Sequence, residues 1–373
     1  MLSPLQQTVD LIQRSKKILI ALPENLNADN IGSALALNSA LKKLDKKSEI
    51  ISLEPLPEKL KFLPEWEIIK NKISPWRDFI ISINTSQNKI SRLRYETADH
   101  LLKIFLTTPQ KIEERDIRLE PGPYNYDLII VLDAPDLESL GRLYEENTGL
   151  FFEKTVLNID HQSANEHFGQ VNLVETMAAS CAEIIVNLIE SLSPGSSDQS
   201  MAFNLLAGLV FKTRSFQNIS TTPQAFNLAS QLISQGAELE KIVQHLYKTK
   251  PLNCLKLWGR LLSRAELDQE KNVLWLLVEE NDFASSKTSS RDLFFILDEA
   301  ADCFPQIKTT FILWPGQENF IEILGQAKQI EFLQKLNLEL GGTIKGNRLL
   351  AKLGQTDLTT AKNFLRELLN FLS

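Results

Sequence analysis

Carboxylates and an imidazole fall at the ends of three apolar runs in this chain. Residues 155–159, Thr-Val-Leu-Asn-Ile, have strand length and β-branched character, and Asp160, His161 and Gln162 follow at once. Residues 127–133, Asp-Leu-Ile-Ile-Val-Leu-Asp, form a second buried-strand run that ends on Asp133. A third, Lys-Ile-Leu-Ile-Ala-Leu at 17–22, leads through Pro23 and Asn27 to Asp29. Oxygen and imidazole donors gathered in this way are the kind that hold divalent metals for phosphoryl chemistry. The candidate metal ligands are therefore Asp29, Asp133, Asp160 and His161.

The elements that must position them belong to an α/β fold. In open α/β sheets ligands bind in the crevice outside the carboxyl ends of the strands, where all four residues are expected. Apolar spacing predicts helices over 3–16, carrying Leu5, Val9 and Ile12, over 31–44, and over 176–192. Residues 48–53 read as a strand, followed by a Pro-rich loop, and 193–200 as a flexible loop. Gly32, Ser33 and Ala34 allow either close approach of an anion to backbone amides or tight helix packing. Residues 78–120 read as an insertion, with strands at 79–83, 91–96 and 101–106 and a turn at 97–100. It is surface elaboration, a lid, or an interface arm that meets a protein partner.

Composition bounds the class. The 373 residues are 43% hydrophobic and 23% charged, which suits two globular domains. A net charge of −7 provides no global basic field for nucleic acid. Cys181, Cys254 and Cys303 stand isolated, as in a reduced cytoplasmic chain. No apolar run reaches 18 residues, so no membrane span and no membrane partner are expected.

Three stretches together resemble the DHH phosphoesterase superfamily, which contains RecJ-type exonucleases, oligoribonuclease/pAp phosphatases and family II pyrophosphatases. They are Asp29-Asn-Ile-Gly-Ser33, DLIIVLDAPDLESLG from Asp127, and DHQSANEHFGQVNLVETMAASCAEII from Asp160, in the family's order. The resemblance implies Mn²⁺ or Mg²⁺ as cofactor and a short nucleic acid or a nucleotide as substrate. It also exposes departures. Pro23 stands at the first motif's histidine and Asn27 at its first aspartate, and Gln162 replaces the last histidine of the triplet. In the stretch Gly208 to Phe216, Lys212 replaces the aspartate that bridges both metals in the family. An ammonium is a donor-only cation and cannot be a metal ligand while protonated.

The expected organisation is an N-terminal parallel-sheet DHH-type domain over 1–220, a helical connector over 221–265 built from two helices, and a smaller C-terminal α/β domain over 266–373. The last resembles the DHH-associated domain. Its glycine loop matches Gly341, Gly342, Thr343, Lys345 and Arg348, with Thr343 in place of a histidine. Lys345 and Arg348 are candidate phosphate contacts, and the alternative is a turn whose glycines supply positive φ. By resemblance the chain is a metal-dependent phosphoesterase. Departures at five positions favour a retired catalyst that binds or scaffolds, with no cofactor. The alternative is a Mn-dependent phosphodiesterase or phosphatase acting on short oligonucleotides or on pAp.

Overall fold

The computed structural model describes residues 2–372 apart from 74–76, 87–88, 220, 249, 317–319 and 355–356. The expected boundary at residue 220 falls outside this set. Contacts divide the chain into two compact units, 1–248 and 249–373. The segment 221–265 is shared between them rather than forming a body of its own.

The first unit opens with α1 (Pro4–Arg14), capped by Ser3, and β1 (Lys17–Ala21). Next come α2 (Ala28–Lys43), β2 (Lys47–Ile51) and β3 (Ile69–Lys70). Then follow β4 (Arg77–Ile83), β5 (Arg92–Ala98), β6 (Leu101–Thr107), β7 (Ile117–Tyr124) and β8 (Leu128–Leu132). Two short helices, α3 (Arg142–Glu145) and α4 (Thr148–Glu153), precede β9 (Thr155–Asp160) and β10 (Val171–Val174). Four helices close the unit: α5 (Cys181–Leu192), α6 (Gln199–Lys212), α7 (Pro223–Ser234) and α8 (Leu239–Val243).

Six strands form one sheet in the order β10-β9-β8-β1-β2-β3, and every pairing is parallel. Its central strands are buried on both faces, which explains their unbroken apolar runs. Strand order reverses between β1 and β8, so the crevice at their carboxyl ends is the topological switch point.

Helix starts correct two expectations. α2 begins at Ala28 rather than 31, because the Asn27 side chain accepts from the Asp29 and Asn30 amides while Asn30 returns a bond to the Asn27 amide. α5 begins at Cys181 rather than 176, because Ser180 is extended and caps Glu183. The small residues of α2 serve packing. A Cβ on Gly32 would lie 2.2 Å from the Asn204 carbonyl oxygen of α6.

The insertion gains a fourth strand that alternation alone did not reveal. β4 pairs with β7, and β5 with β6, as two separate antiparallel ribbons.

α7 and α8 bury Leu228, Leu232 and Ile242 in the core of the first unit. The second of the two expected connector helices is broken. α8 passes into a π-helical turn at Gln244–Lys248, and α9 (Leu252–Leu262) starts only after Pro251, which cannot continue a helix from the preceding turn. α9 packs Leu257, Trp258 and Leu261 into the second unit.

That unit holds β11 (Glu266–Asp268), β12 (Val273–Leu277), α10 (Glu280–Ser286) and α11 (Leu293–Cys303). It continues with β13 (Thr309–Pro315), β14 (Ile321–Ala327), α12 (Ile330–Leu340), β15 (Thr343–Lys345), β16 (Arg348–Leu353) and α13 (Leu358–Leu372). Its mixed sheet has the order β11-β12-β13-β14-β16-β15. One face covers a core around Trp275 and Phe311, whose rings stack at 5.0 Å, and the other packs on α9 and α11.

Candidate metal and phosphate site

Three strand ends deliver the candidate side chains by different local devices. Asp133 follows β8 with φ 53°, a left-handed conformation that costs a non-glycine residue about 1 kcal/mol or more. Its amide donates to the Ile159 carbonyl at 3.0 Å, which helps hold that geometry. Asp29 rides the first turn of α2. His161 leaves the end of β9, where the Asp160 carboxylate accepts from the His161 and Gln162 amides at 2.7 and 3.2 Å.

Asp133 is the hub. Its Oδ1 accepts from Lys212 Nζ at 3.0 Å and lies 3.5 Å from His161 Nε2. Its Oδ2 accepts from the side-chain amides of Asn27 and Asn30 at 3.2 and 3.3 Å. Burial pushes the Asp133 carboxyl up, but His161 and Lys212 outweigh it and hold the group below the ordinary carboxylate range. Lys212 moves the other way. Burial disfavours its charge, yet Asp133 and Asp29 together hold the ammonium above its usual pKa. His161 is likewise raised against its burial by Asp133, with Asp29 adding to the effect.

Asp29 is fully buried, and each of its oxygens already accepts a backbone bond: Oδ2 from the Cys181 amide at 2.8 Å and Oδ1 from the Ala182 amide at 2.9 Å. It therefore anchors the N-terminus of α5. Burial first, and the nearby Asp133 second, raise its pKa. The Cys181 thiol beside it is driven well above its usual range by burial and by the surrounding carboxylates, and stays inert.

One oxygen each from Asp29 and Asp133 and a ring nitrogen of His161 lie within 4.8 Å of one another. His161 Nε2 is buried and, beyond its 3.5 Å approach to Asp133 Oδ1, has no hydrogen-bond partner. Two carboxylate oxygens and an imidazole nitrogen are the donor types a divalent cation takes, but both Asp29 oxygens already accept backbone bonds. The Lys212 ammonium lies at the same centre, on Asp133 Oδ1.

Not every expected residue joins this cluster. Asp160 turns inward, with Oδ2 accepting from the Asn165 side-chain amide at 2.7 Å, and so holds the turn after β9 rather than joining the three converging ligands. The Gln162 side chain reaches the Asp133 carbonyl and Asp160, both at 3.4 Å. Within the second unit, Gly341 ends α12 with φ 64°, and a Cβ on Gly342 would lie 2.4 Å from the Leu350 carbonyl oxygen. Lys345 is exposed at the start of the β15–β16 turn, where Gly346 has φ 60°. Arg348 pairs with Asp298 and lies 5.6 Å from the Phe294 ring centre.

Sequence reasoning missed Asn30 and took Asn27 only as a lost aspartate. The signal was present as Asn-x-x-Asn ahead of a helical run, a reciprocal capping pattern.

A model of the DHH family N-terminal domain matches residues 17–211. The bifunctional oligoribonuclease and PAP phosphatase NrnA of Thermus thermophilus is 24% identical over 246 residues, which is 66% of this chain and 58% of that protein. The protein of the same name from Bacillus subtilis is 29% identical over 149 residues, 39% of this chain and 45% of its own length. The chain thus spans about half the length of these relatives. An exopolyphosphatase-related protein from Bacteroides fragilis shares the fold with a TM-score of 0.71 at 18% identity, over 99% of this chain and 96% of its own.

Proposed function

The chain belongs to the DHH family, and from that premise we propose that it binds phosphoesters at the Asp133 pocket without two-metal hydrolysis. The observation that carries this reading is the Lys212 ammonium 3.0 Å from Asp133 Oδ1. A two-metal mechanism needs a bridging carboxylate, and here that correspondence falls on a donor-only cation. Lys212 has protons beyond the one it gives to Asp133. Together with His161 it offers donors suited to a phosphate oxygen. The ligand class is a short oligonucleotide or a nucleotide phosphate such as pAp, in keeping with the named activities of the NrnA relatives. Gly341, Gly342, Lys345 and Arg348 of the second unit are retained as weaker candidate phosphate contacts.

A second reading rests on the orphaned Nε2 of His161. Asp29, Asp133 and His161 would hold one Mn²⁺ or Mg²⁺, which would supply a Lewis acid at the pocket. Titration with pAp and with a short oligoribonucleotide separates the two. Under the first reading both bind with a chelator present, Lys212→Ala weakens them about tenfold, the loss of one charge-assisted contact, and added Mn²⁺ gives no turnover. Turnover with Mn²⁺ that Asp133→Ala abolishes would replace it with the second.

A further inference from the structure

β4 pairs with β7 and β5 with β6, so the described residues of 77–124 form two antiparallel ribbons, one inside the other in sequence. The Asn84 amide donates to the Asp116 carbonyl and the Ser91 amide to the Thr107 carbonyl at the junction. In the inner ribbon the register sets Leu93 opposite Leu106, Tyr95 opposite Ile104 and Thr97 opposite Leu102. Those pairs share one face. The other face carries Arg94 opposite Phe105 and Glu96 opposite Lys103, with Arg94 bonded to Glu96 at 2.7 Å. The outer ribbon repeats the division less cleanly, since Ile80, 38% exposed, sits opposite Glu120 on the polar side. Ile81 faces Leu119 and Ile83 faces Ile117 on the side that also carries Phe79, while Ser82 and Glu120, bonded at 2.7 Å, lie on the opposite side.

The apolar faces are open. Leu93, Tyr95 and Leu102 are exposed by 63%, 70% and 60%, and Phe79 and Leu119 by 68% and 64%, with Ile81, Ile104 and Ile117 near 40%. A lone two-stranded ribbon is marginal in water, and contiguous apolar patches of this kind are interaction sites. These eight side chains together expose on the order of 900 Å², about half of it on the inner ribbon, so the ~800 Å² per partner of a standard interface requires the faces of both ribbons. Charge selects the partner. Residues 77–124 contain eight Lys and Arg against seven Asp and Glu, whereas the whole chain carries −7. This arm therefore offers no basic field to nucleic acid or to an anionic membrane. It is also the part of an acidic chain that a second copy can approach with least repulsion.

We propose that the arm is a dimerisation element, the apolar face of each ribbon packed against the same face of a second copy about a twofold axis. The proposal does not depend on the Asp133 pocket. Sedimentation equilibrium of the full chain tests it with Tyr95→Glu/Leu102→Glu, both exposed in the single chain, and with Lys103→Ala on the opposite face as control. The wild type and the control sediment as dimers. The double variant raises the dimer dissociation constant at least ~100-fold, because carboxylates would be desolvated against one another. Hydrogen exchange gives an independent reading, with protection of the 92–107 amides that increases with protein concentration. A monomeric wild type, a double variant that dimerises as tightly, arm protection independent of concentration, or protection that appears only on adding RNA, vesicles or another protein would each overturn the proposal.

Discussion

Lys212 governs the cluster because its ammonium is fixed on the carboxylate toward which the other polar groups turn. Asp133 receives Lys212, Asn27 and Asn30, with His161 beside it, so one residue sets the charge that four others answer. Replacing Lys212 by Met removes a buried partner while leaving the amides in place. Unfolding in urea is expected to register a loss of about 2 kcal/mol. An unchanged midpoint would mean that the pair contributes nothing to the folded state. The sequence made Asp29, Asp133, His161 and Lys212 legible, since each follows an apolar run or a family motif. It did not reveal that Asp160 faces its own turn or that Asn30 serves Asp133, because a side chain's partners depend on which strand end lies next to it.

At the scale of elements, α2 depends on close approach to α6. Gly32→Ala would drive a Cβ to 2.2 Å from the Asn204 carbonyl oxygen, backbone that cannot swing aside. Thermal unfolding should show a loss of about 1–3 kcal/mol, whereas wild-type stability would contradict the packing described. In the second unit, Asp282 on α10 accepts from Arg260 Nε at 2.8 Å and from the Glu279 amide at 2.9 Å, and pairs with Arg264. Its side chain is 1% exposed. Burial raises its pKa, but the two guanidinium groups and the Glu279 amide outweigh burial and hold it below the ordinary 3.8. The stabilisation is thus fully present above the unfolded carboxylate's pKa and lost as pH falls through the lowered folded value. Asp282→Asn should cost about 2 kcal/mol at neutral pH, with the gap to wild type closing only below about pH 4. A gap that does not change with pH would contradict this assignment. Strands and long helices were readable from their periods. Helix starts were displaced by Asn27 and Ser180, and the break at Pro251 was overlooked, because caps and breakers act at single positions.

For the whole molecule, the parallel sheet and a distinct C-terminal sheet were both legible, since unbroken apolar runs mark strands covered on two faces. What pattern alone did not give was the division of the connecting helices, which is decided by where Leu228, Leu232 and Ile242 on one side, and Leu257 and Leu261 on the other, find a core. Because residues 1–248 contain their own sheet and core, that fragment expressed alone should unfold in one cooperative transition; a non-cooperative melt would contradict the division. The account stands on the claim that Lys212 occupies the place of a metal-bridging carboxylate. Calorimetric titration of Mn²⁺ into the wild type and Lys212→Asp tests it most directly. The expected result is no micromolar binding in the wild type and clear binding in the variant. Micromolar Mn²⁺ binding by the wild type, lost in Asp133→Ala, would contradict it.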